Sequence, residues 1–206
     1  MEENQLHSEL TSIRSMMERS TKFISLSGLS GVMAGIYALI GAFIAYGMVY
    51  SDYGFFGYRS FYIPNEYVLQ RLFVVAVVVL VASLVTGFIL TYQKARRKGQ
   101  QVWNPASRQL LFYLAVPLLA GGIFTLILLS RGYYGIVGSS MLIFYGLSLI
   151  SGSNFTYPEV RYLGICEIVL GLLAACYPGY GLLFWSLGFG VLHIVYGMSM
   201  YLKYDR

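Results

Sequence analysis

The feature that most constrains this chain is a series of long apolar runs with only short polar segments between them. Of its 206 residues, 57% are hydrophobic and 11% are charged, whereas soluble domains average about 25% charged residues. A single soluble core of this size cannot bury so much apolar surface, so a lipid bilayer is the expected solvent. The pattern predicts an all-α polytopic membrane protein with about six transmembrane helices.

Two regions are expected along the chain. Residues 1–22 are polar and predict a short amphipathic cytoplasmic helix, and residues 23–206 predict the bundle of spans. A helix crosses the hydrocarbon layer with about 20 apolar residues, and the run at 134–150 is at the lower limit of that length. The approximate spans are 23–50, 72–92, 109–130, 134–150, 160–177 and 182–202.

The orientation follows from the basic residues that flank the spans. If the N-terminus is cytoplasmic, the cytoplasmic segments hold Arg14, Arg19, Lys22, Lys94, Arg96, Arg97, Lys98, Arg108, Arg161, Lys203 and Arg206. The opposite side then holds only Arg59, Arg71 and Arg131. Short cytoplasmic loops are enriched in Lys and Arg. We therefore expect a multi-pass protein of the plasma (bacterial inner) membrane with both termini in the cytoplasm.

A narrow apolar stripe runs along the N-terminal segment. Leu6, Leu10, Ile13 and Met17 recur at spacings of four, three and four residues, which places them on one helical face. Two interpretations are open. The stripe covers the membrane surface or the protein's own loops, or it docks on a protein partner or a second copy.

Small residues mark the faces on which helices are expected to pack closely. They are Gly31 and Gly35 in the first span and Gly164, Gly171, Gly190 and Gly197 in the last two. Membrane helices associate through such residues because lipid supplies no hydrophobic drive between them. The first span is accordingly expected inside the bundle or at a contact between copies, so that a homo-oligomer is one expected assembly.

One pair of ionisable residues lies at membrane depth. Glu167 is the only acidic residue within a predicted span, and His193 is the only histidine within one. Counted from the turn at residues 178–181, both lie near the middle of a hydrocarbon layer about 30 Å thick. Because an ionisable group there is costly, it usually marks a function. We expect the two side chains to face each other, either as a buried hydrogen bond or as a proton-handling site.

No other residue pattern indicates chemistry. The chain has no Cys/His cluster for zinc and no phosphate-binding loop, and no catalytic residue, metal or cofactor is predicted. The net charge of +5 resides in residues that flank the spans, so the expected partner is the lipid bilayer rather than a nucleic acid. The sequence favours a role other than that of an enzyme, without settling the question.

The hairpin at Arg161–Met198, RYLGICEIVLGLLAACYPGYGLLFWSLGFGVLHIVYGM, resembles the hairpin unit of HdeD-type acid-resistance membrane proteins. In those proteins a Gly-rich helix, a Pro-centred turn and a second Gly-rich helix recur in a six-span chain. The whole chain, and residues 16–28 in particular, also resembles a family of six-span bacterial membrane proteins. These resemblances imply a helical membrane protein linked to stress.

Three functions are consistent with these patterns. The first is a structural, regulatory or stress-related membrane protein that acts through self-association or partners. The second is a small proton-coupled transporter or permease that uses Glu167 and His193. The third, with the least support, is a membrane-embedded enzyme.

Overall fold

The computed structural model describes residues 22–49, 66–99 and 101–205, and the description below concerns those residues. Most of these residues are helical, and none of them forms a strand. The helices are α1 (Gly28–Val49), α2 (Glu66–Arg97), α3 (Pro105–Ser130), α4 (Val137–Gly152), α5 (Glu159–Cys176) and α6 (Pro178–Tyr204). The N-terminal stripe of Leu6, Leu10, Ile13 and Met17 lies outside the described residues.

The helices have the lengths and compositions that membrane crossing requires. Five helical segments are long and apolar enough to span a bilayer: α1, α2, α3, α6 and the segment Tyr134–Phe155 that contains α4. The sixth helix, α5, has 18 residues and carries three charged side chains, those of Glu159, Arg161 and Glu167. The fold is therefore that of a multi-pass helical membrane protein.

Several helix ends differ from the predicted spans. Helix α1 begins at Gly28 rather than at residue 23, because the backbone carbonyls of Phe23, Ile24 and Leu26 accept hydrogen bonds from other segments. Helix α2 extends beyond the predicted 72–92 at both ends, since its polar termini continue the helix outside the apolar run.

The fourth predicted span was also too short. Helix α4 is continued by 3₁₀ turns on both sides, Tyr134–Ile136 and Ser153–Phe155, so that the helical segment has 22 residues. Ser151 and Gly152, which lie beyond the predicted span of 134–150, are therefore helical. Glycine fits position 152 because it faces the side chains of Leu110 and Leu114 of α3 at close range.

The helices pack as two groups around a central contact. Helix α1 packs on α2 and α6, α4 packs on α3 and α5, and α5 and α6 meet between the groups. Helix α2 is peripheral: only Thr91 and Ala95 are buried along it, as its Val-rich, lipid-facing composition predicts.

A polar cluster ties the start of α1 to the ends of α2 and α6. The Asp205 carboxylate accepts a hydrogen bond from the backbone N–H of Gly28 at 2.9 Å, which satisfies one of the free donors at the start of α1. Asp205 also forms an ion pair with Lys94 at the end of α2, and the Lys94 ammonium donates to Leu26 O at 2.6 Å. The start of α1 and the ends of α2 and α6 thus lie at the same end of the bundle, which we call the terminal end.

Tyr157 completes this cluster between α4 and α5. Its hydroxyl donates to the carbonyl of Ile24, and its ring stacks on that of Tyr204 at 4.1 Å between centroids. Burial, assisted by the Asp205 carboxylate, raises the pKa of Tyr157 to about 12. The phenol therefore keeps its proton and its hydrogen bond at neutral pH.

Candidate functional site: the buried Glu167–His193 centre

Glu167 lies in the middle of α5 and is fully buried. The α5 face that carries it also carries Gly164 and Gly171, and this face turns towards the neighbouring helices rather than towards lipid. A Cβ added to Gly188 would lie 2.4 Å from Glu167 Oε2 and 2.5 Å from Leu142 Cδ2. The carboxyl group is thus enclosed by α4, α5 and α6, and glycine at position 188 provides its space.

His193 faces Glu167 from α6. Its Nδ1 lies 3.5 Å from Glu167 Oε1 and 3.0 Å from the carbonyl oxygen of Gly188. Since a carbonyl oxygen only accepts, the shorter contact assigns a hydrogen to Nδ1. The sequence-predicted pair is therefore brought together in the interior, with the histidine donating to backbone rather than to the acid.

The backbone around His193 is irregular. Residues Ser186–Leu192 form a π-helical stretch, and α-helical geometry resumes at His193. Such stretches are rare and often lie at functional sites. Here the stretch includes both Gly188, which accepts from His193, and Phe189, whose ring stacks with the imidazole at 5.9 Å between centroids.

Tyr145 of α4 is a third member of the site that the sequence analysis missed. Its hydroxyl lies 2.7 Å from His193 Nε2, and its ring lies 4.9 Å from that of Phe189. With the hydrogen on Nδ1, the neutral imidazole accepts from the tyrosine hydroxyl. The chain contains 19 tyrosines, and nothing in their spacing distinguishes this one. Only the packing of α4 against α6 identifies it.

The acid is the unsatisfied member of this centre. Neither carboxyl oxygen of Glu167 has a hydrogen bond to a described residue, and 3.5 Å is too long for a good N–H···O bond. An ionised carboxylate in these surroundings would be a buried charge without a compensating partner, which costs on the order of several kcal/mol. Chemically, the arrangement can hold a proton on Glu167 beside a histidine that has one nitrogen occupied by Tyr145.

The predicted packing glycines bring α1 and α6 close together. A Cβ on Gly35 would meet the carbonyl oxygen of Gly190 at 2.6 Å, Ile194 Cγ1 at 2.7 Å and Ile194 N at 3.0 Å. Gly31 and Gly197 also face each other, at 3.2 Å from the added Cβ to Gly197 Cα. Gly31 and Gly35 thus serve helix packing within the chain.

Helices α4 and α5 repeat this contact. A Cβ on Gly146 would meet the carbonyl oxygen of Gly164 at 2.5 Å, Ile168 Cγ1 at 2.7 Å and Ile168 N at 3.0 Å. The neighbours are of the same type, at almost the same distances, as those of Gly35. Because α1 and α4 run in opposite directions across the bundle, the two helix pairs are inverted copies of one packing arrangement.

This match places Glu167 and His193 at equivalent positions. Residues 164–171 read GICEIVLG and residues 190–197 read GVLHIVYG, so that glycine, isoleucine and valine coincide and Glu167 corresponds to His193. The shared pattern was visible in the sequence, but glycine and apolar residues are so frequent here that it lacked significance without the matching contacts. The two ionisable groups meet where the two helix pairs meet.

A cavity of about 340 Å³ lies in the half of the bundle away from the terminal end. Its walls come from α1, α2, α3, α4 and α6, and they include Ala45, Phe73, Met141 and Trp185. Neither Glu167 nor His193 lines it. Within the described residues no group of three or more His, Cys, Asp or Glu side chains is placed to hold a metal ion.

Comparison with protein families, with curated proteins and with solved structures finds no match to this chain. The resemblance of residues 161–198 to the HdeD-type hairpin therefore stays a prediction.

Proposed function

We propose that this chain is a small proton-coupled membrane transporter in which Glu167 is the proton-binding group. The observation that carries the proposal is the fully buried carboxyl group with no hydrogen bond from a described residue to either oxygen. In this conformation Glu167 holds its proton, because a neutral acid is far less costly in these surroundings than a carboxylate.

A purely structural role accounts less well for Glu167. Hydrogen bonds between membrane helices contribute about 1–2 kcal/mol in model peptides, and that gain requires a bond of good geometry. The Glu167–His193 contact at 3.5 Å lacks it, whereas His193 is satisfied by Gly188 and Tyr145. An acid without a hydrogen bond in the observed conformation is better explained by a role in a second protonation state.

The inverted helix pairs support transport in particular. Many transporters consist of repeats of opposite orientation, with the binding site near the bilayer midplane where the repeats meet. Here the contact of Gly35 with α6 is repeated by that of Gly146 with α5, and Glu167 and His193 lie where the pairs meet. Rocking one pair against the other would open this centre to one side or the other.

The π-helical stretch offers the mobile element. Within it, Gly188 is bonded to His193 and lies against the Glu167 carboxyl group. Ionisation of Glu167 would favour protonation of His193 and a direct ion pair, at the expense of the bond to Gly188. We propose that this exchange shifts the stretch and changes how α5 and α6 pack.

A structural or regulatory role through a partner would rest on the N-terminal stripe of Leu6, Leu10, Ile13 and Met17. We keep the cytoplasmic location of both termini and the bacterial inner membrane as part of the proposal, since the basic residues of the loops support them.

The proposal is tested by charge movement after a pH jump. The purified protein is reconstituted in liposomes, adsorbed on a solid-supported membrane and exposed to a step in pH. We expect a transient current from the wild type and its loss in Glu167→Gln, which keeps the side-chain volume. Glu159→Gln is the matched control, because Glu159 lies on the same helix but bonds to Lys203 and Tyr204 at the terminal end. A Glu167→Gln current equal to that of the wild type would overturn the proposal.

A further inference from the structure

The cavity in the half of the bundle away from the terminal end has an apolar wall. Among the described residues that line it, none has a charged side chain, and the hydroxyl of Thr125 within it is bonded to Ser140 at 3.0 Å. Small residues on α1, namely Gly41, Ala42 and Ala45, provide the space. Its volume of about 340 Å³ is at the lower end of the range for small-molecule sites.

An aromatic series joins this cavity to the proton site. Trp185 lines the cavity and stacks on Phe189 at 5.1 Å between ring centroids. Phe189 in turn lies 4.9 Å from Tyr145 and 5.9 Å from His193. Trp185 immediately precedes the π-helical stretch and Phe189 lies within it, so a shift of that stretch moves the cavity wall and the His193 environment together.

We infer that the cavity binds a small, neutral, apolar molecule that enters from the bilayer. A charged ligand would find no partner of opposite charge among the described residues of the wall, and burying it there would cost more than the contacts return. The inference names the substrate class for the proposed transporter and in that respect rests on the proposed function. The binding itself requires only the cavity, so the two proposals can fail separately.

The chain provides its own reporter for this site. It has two tryptophans, and Trp103 lies at the other end of the bundle, 67% exposed. In the Trp103→Phe variant, Trp185 alone reports on the cavity. The probe is bromobenzene, a small neutral molecule whose bromine quenches tryptophan fluorescence, added to the full chain in nanodiscs of dioleoylphosphatidylcholine.

We expect a saturable component of quenching on top of the linear component that the probe dissolved in lipid produces. Benzene, which carries no bromine, should compete for the saturable component. Ala45→Phe fills the cavity and should abolish it, whereas the matched variant Ile44→Phe, at an adjacent and 43% exposed position, should retain it. Both variants are checked for a monodisperse profile and an unchanged melting temperature. If Ala45→Phe fails to fold, Met141→Trp replaces it as the variant that fills the cavity. Its binding is measured with radiolabelled benzene, and the fraction that bromobenzene displaces from the wild type should be absent.

Three results would overturn the inference. Quenching by bromobenzene stays linear, or saturable quenching persists in Ala45→Phe. In the third, Trp185 is quenched in nanodiscs of dibrominated phosphatidylcholine but does not respond to bromobenzene. The last result would show that a lipid acyl chain occupies the cavity. Glu167→Gln should retain saturable quenching. If it does so while the pH-jump currents fail to depend on Glu167, the binding site stands and the transport proposal falls.

Discussion

At the scale of single residues, the Glu167–His193 centre is asymmetric, because the histidine has hydrogen-bond partners and the acid has none among the described residues. His193 has a partner on each ring nitrogen, Gly188 O at 3.0 Å and Tyr145 Oη at 2.7 Å. Glu167 is fully buried but has no hydrogen bond from a described residue. The histidine is therefore held in place by bonds that do not involve the acid, which leaves the carboxyl group available for proton exchange.

This asymmetry predicts an order of coupling energies. In double-mutant cycles on the free energy of unfolding in mixed detergent micelles, Tyr145→Phe and His193→Ala should be coupled by about 0.5–3 kcal/mol. Glu167→Gln and His193→Ala should be coupled more weakly, because no good hydrogen bond joins them. Equal or reversed couplings would mean that the acid is the structural partner of His193.

At the scale of helices, the bundle depends on two close contacts between antiparallel helices. Gly35 admits the α6 backbone, and Gly146 admits the α5 backbone, with a Cβ at either position within 3.0 Å of a main-chain atom. Backbone cannot move aside as a flexible side chain does. The two contacts position α5 and α6, and thereby set the separation of Glu167 and His193.

We therefore expect Gly35→Ala and Gly146→Ala to destabilise the protein by similar amounts, about 1–3 kcal/mol each, as overpacked cores do. Gly47→Ala is the control, because a Cβ at Gly47 meets no atom of a described residue within 4 Å and alanine favours the helix. The free energy of unfolding is measured for all three variants and for the wild type. A Gly35→Ala protein as stable as Gly47→Ala would contradict the packing role.

At the scale of the whole molecule, the start of α1 and the ends of α2 and α6 meet in the cluster of Asp205, Lys94 and Gly28. In the proposed topology of six crossings, the start of α1 and the end of α6 lie on one side of the membrane, and the excess of basic residues at this end supports the cytoplasm. The turn between α5 and α6 then lies on the opposite side of the membrane.

Reporter fusions test this topology. Fusions after Leu202 and within residues 94–108 should give a cytoplasmic signal, and fusions near Gly179 should give an external one. The segment Tyr134–Phe155, with 22 residues, is long enough for the crossing that this arrangement requires. A cytoplasmic signal at Gly179 would mean that this segment does not cross.

The parts of the fold that sequence predicts best are those that depend on local composition. Apolar runs indicated helices and candidate spans, and residue counts along two helices predicted that Glu167 and His193 face each other, which the structure has at 3.5 Å. The non-helical segment at residues 23–27 was not predictable, because it is held by Thr156, Tyr157 and Lys94. Those bonds span 68 to 133 residues of chain, and no local pattern encodes them. The π-helical stretch and Tyr145 were missed for the same reason.

The central claim is that Glu167 carries a proton in the interior of the membrane. Infrared spectroscopy of the protein in lipid measures it directly, because a protonated carboxylic acid has a C=O stretching band that a carboxylate lacks. We predict such a band at neutral pH, lost in Glu167→Gln and retained in Glu159→Gln. The absence of the band at neutral pH, or its persistence in Glu167→Gln, would contradict the account.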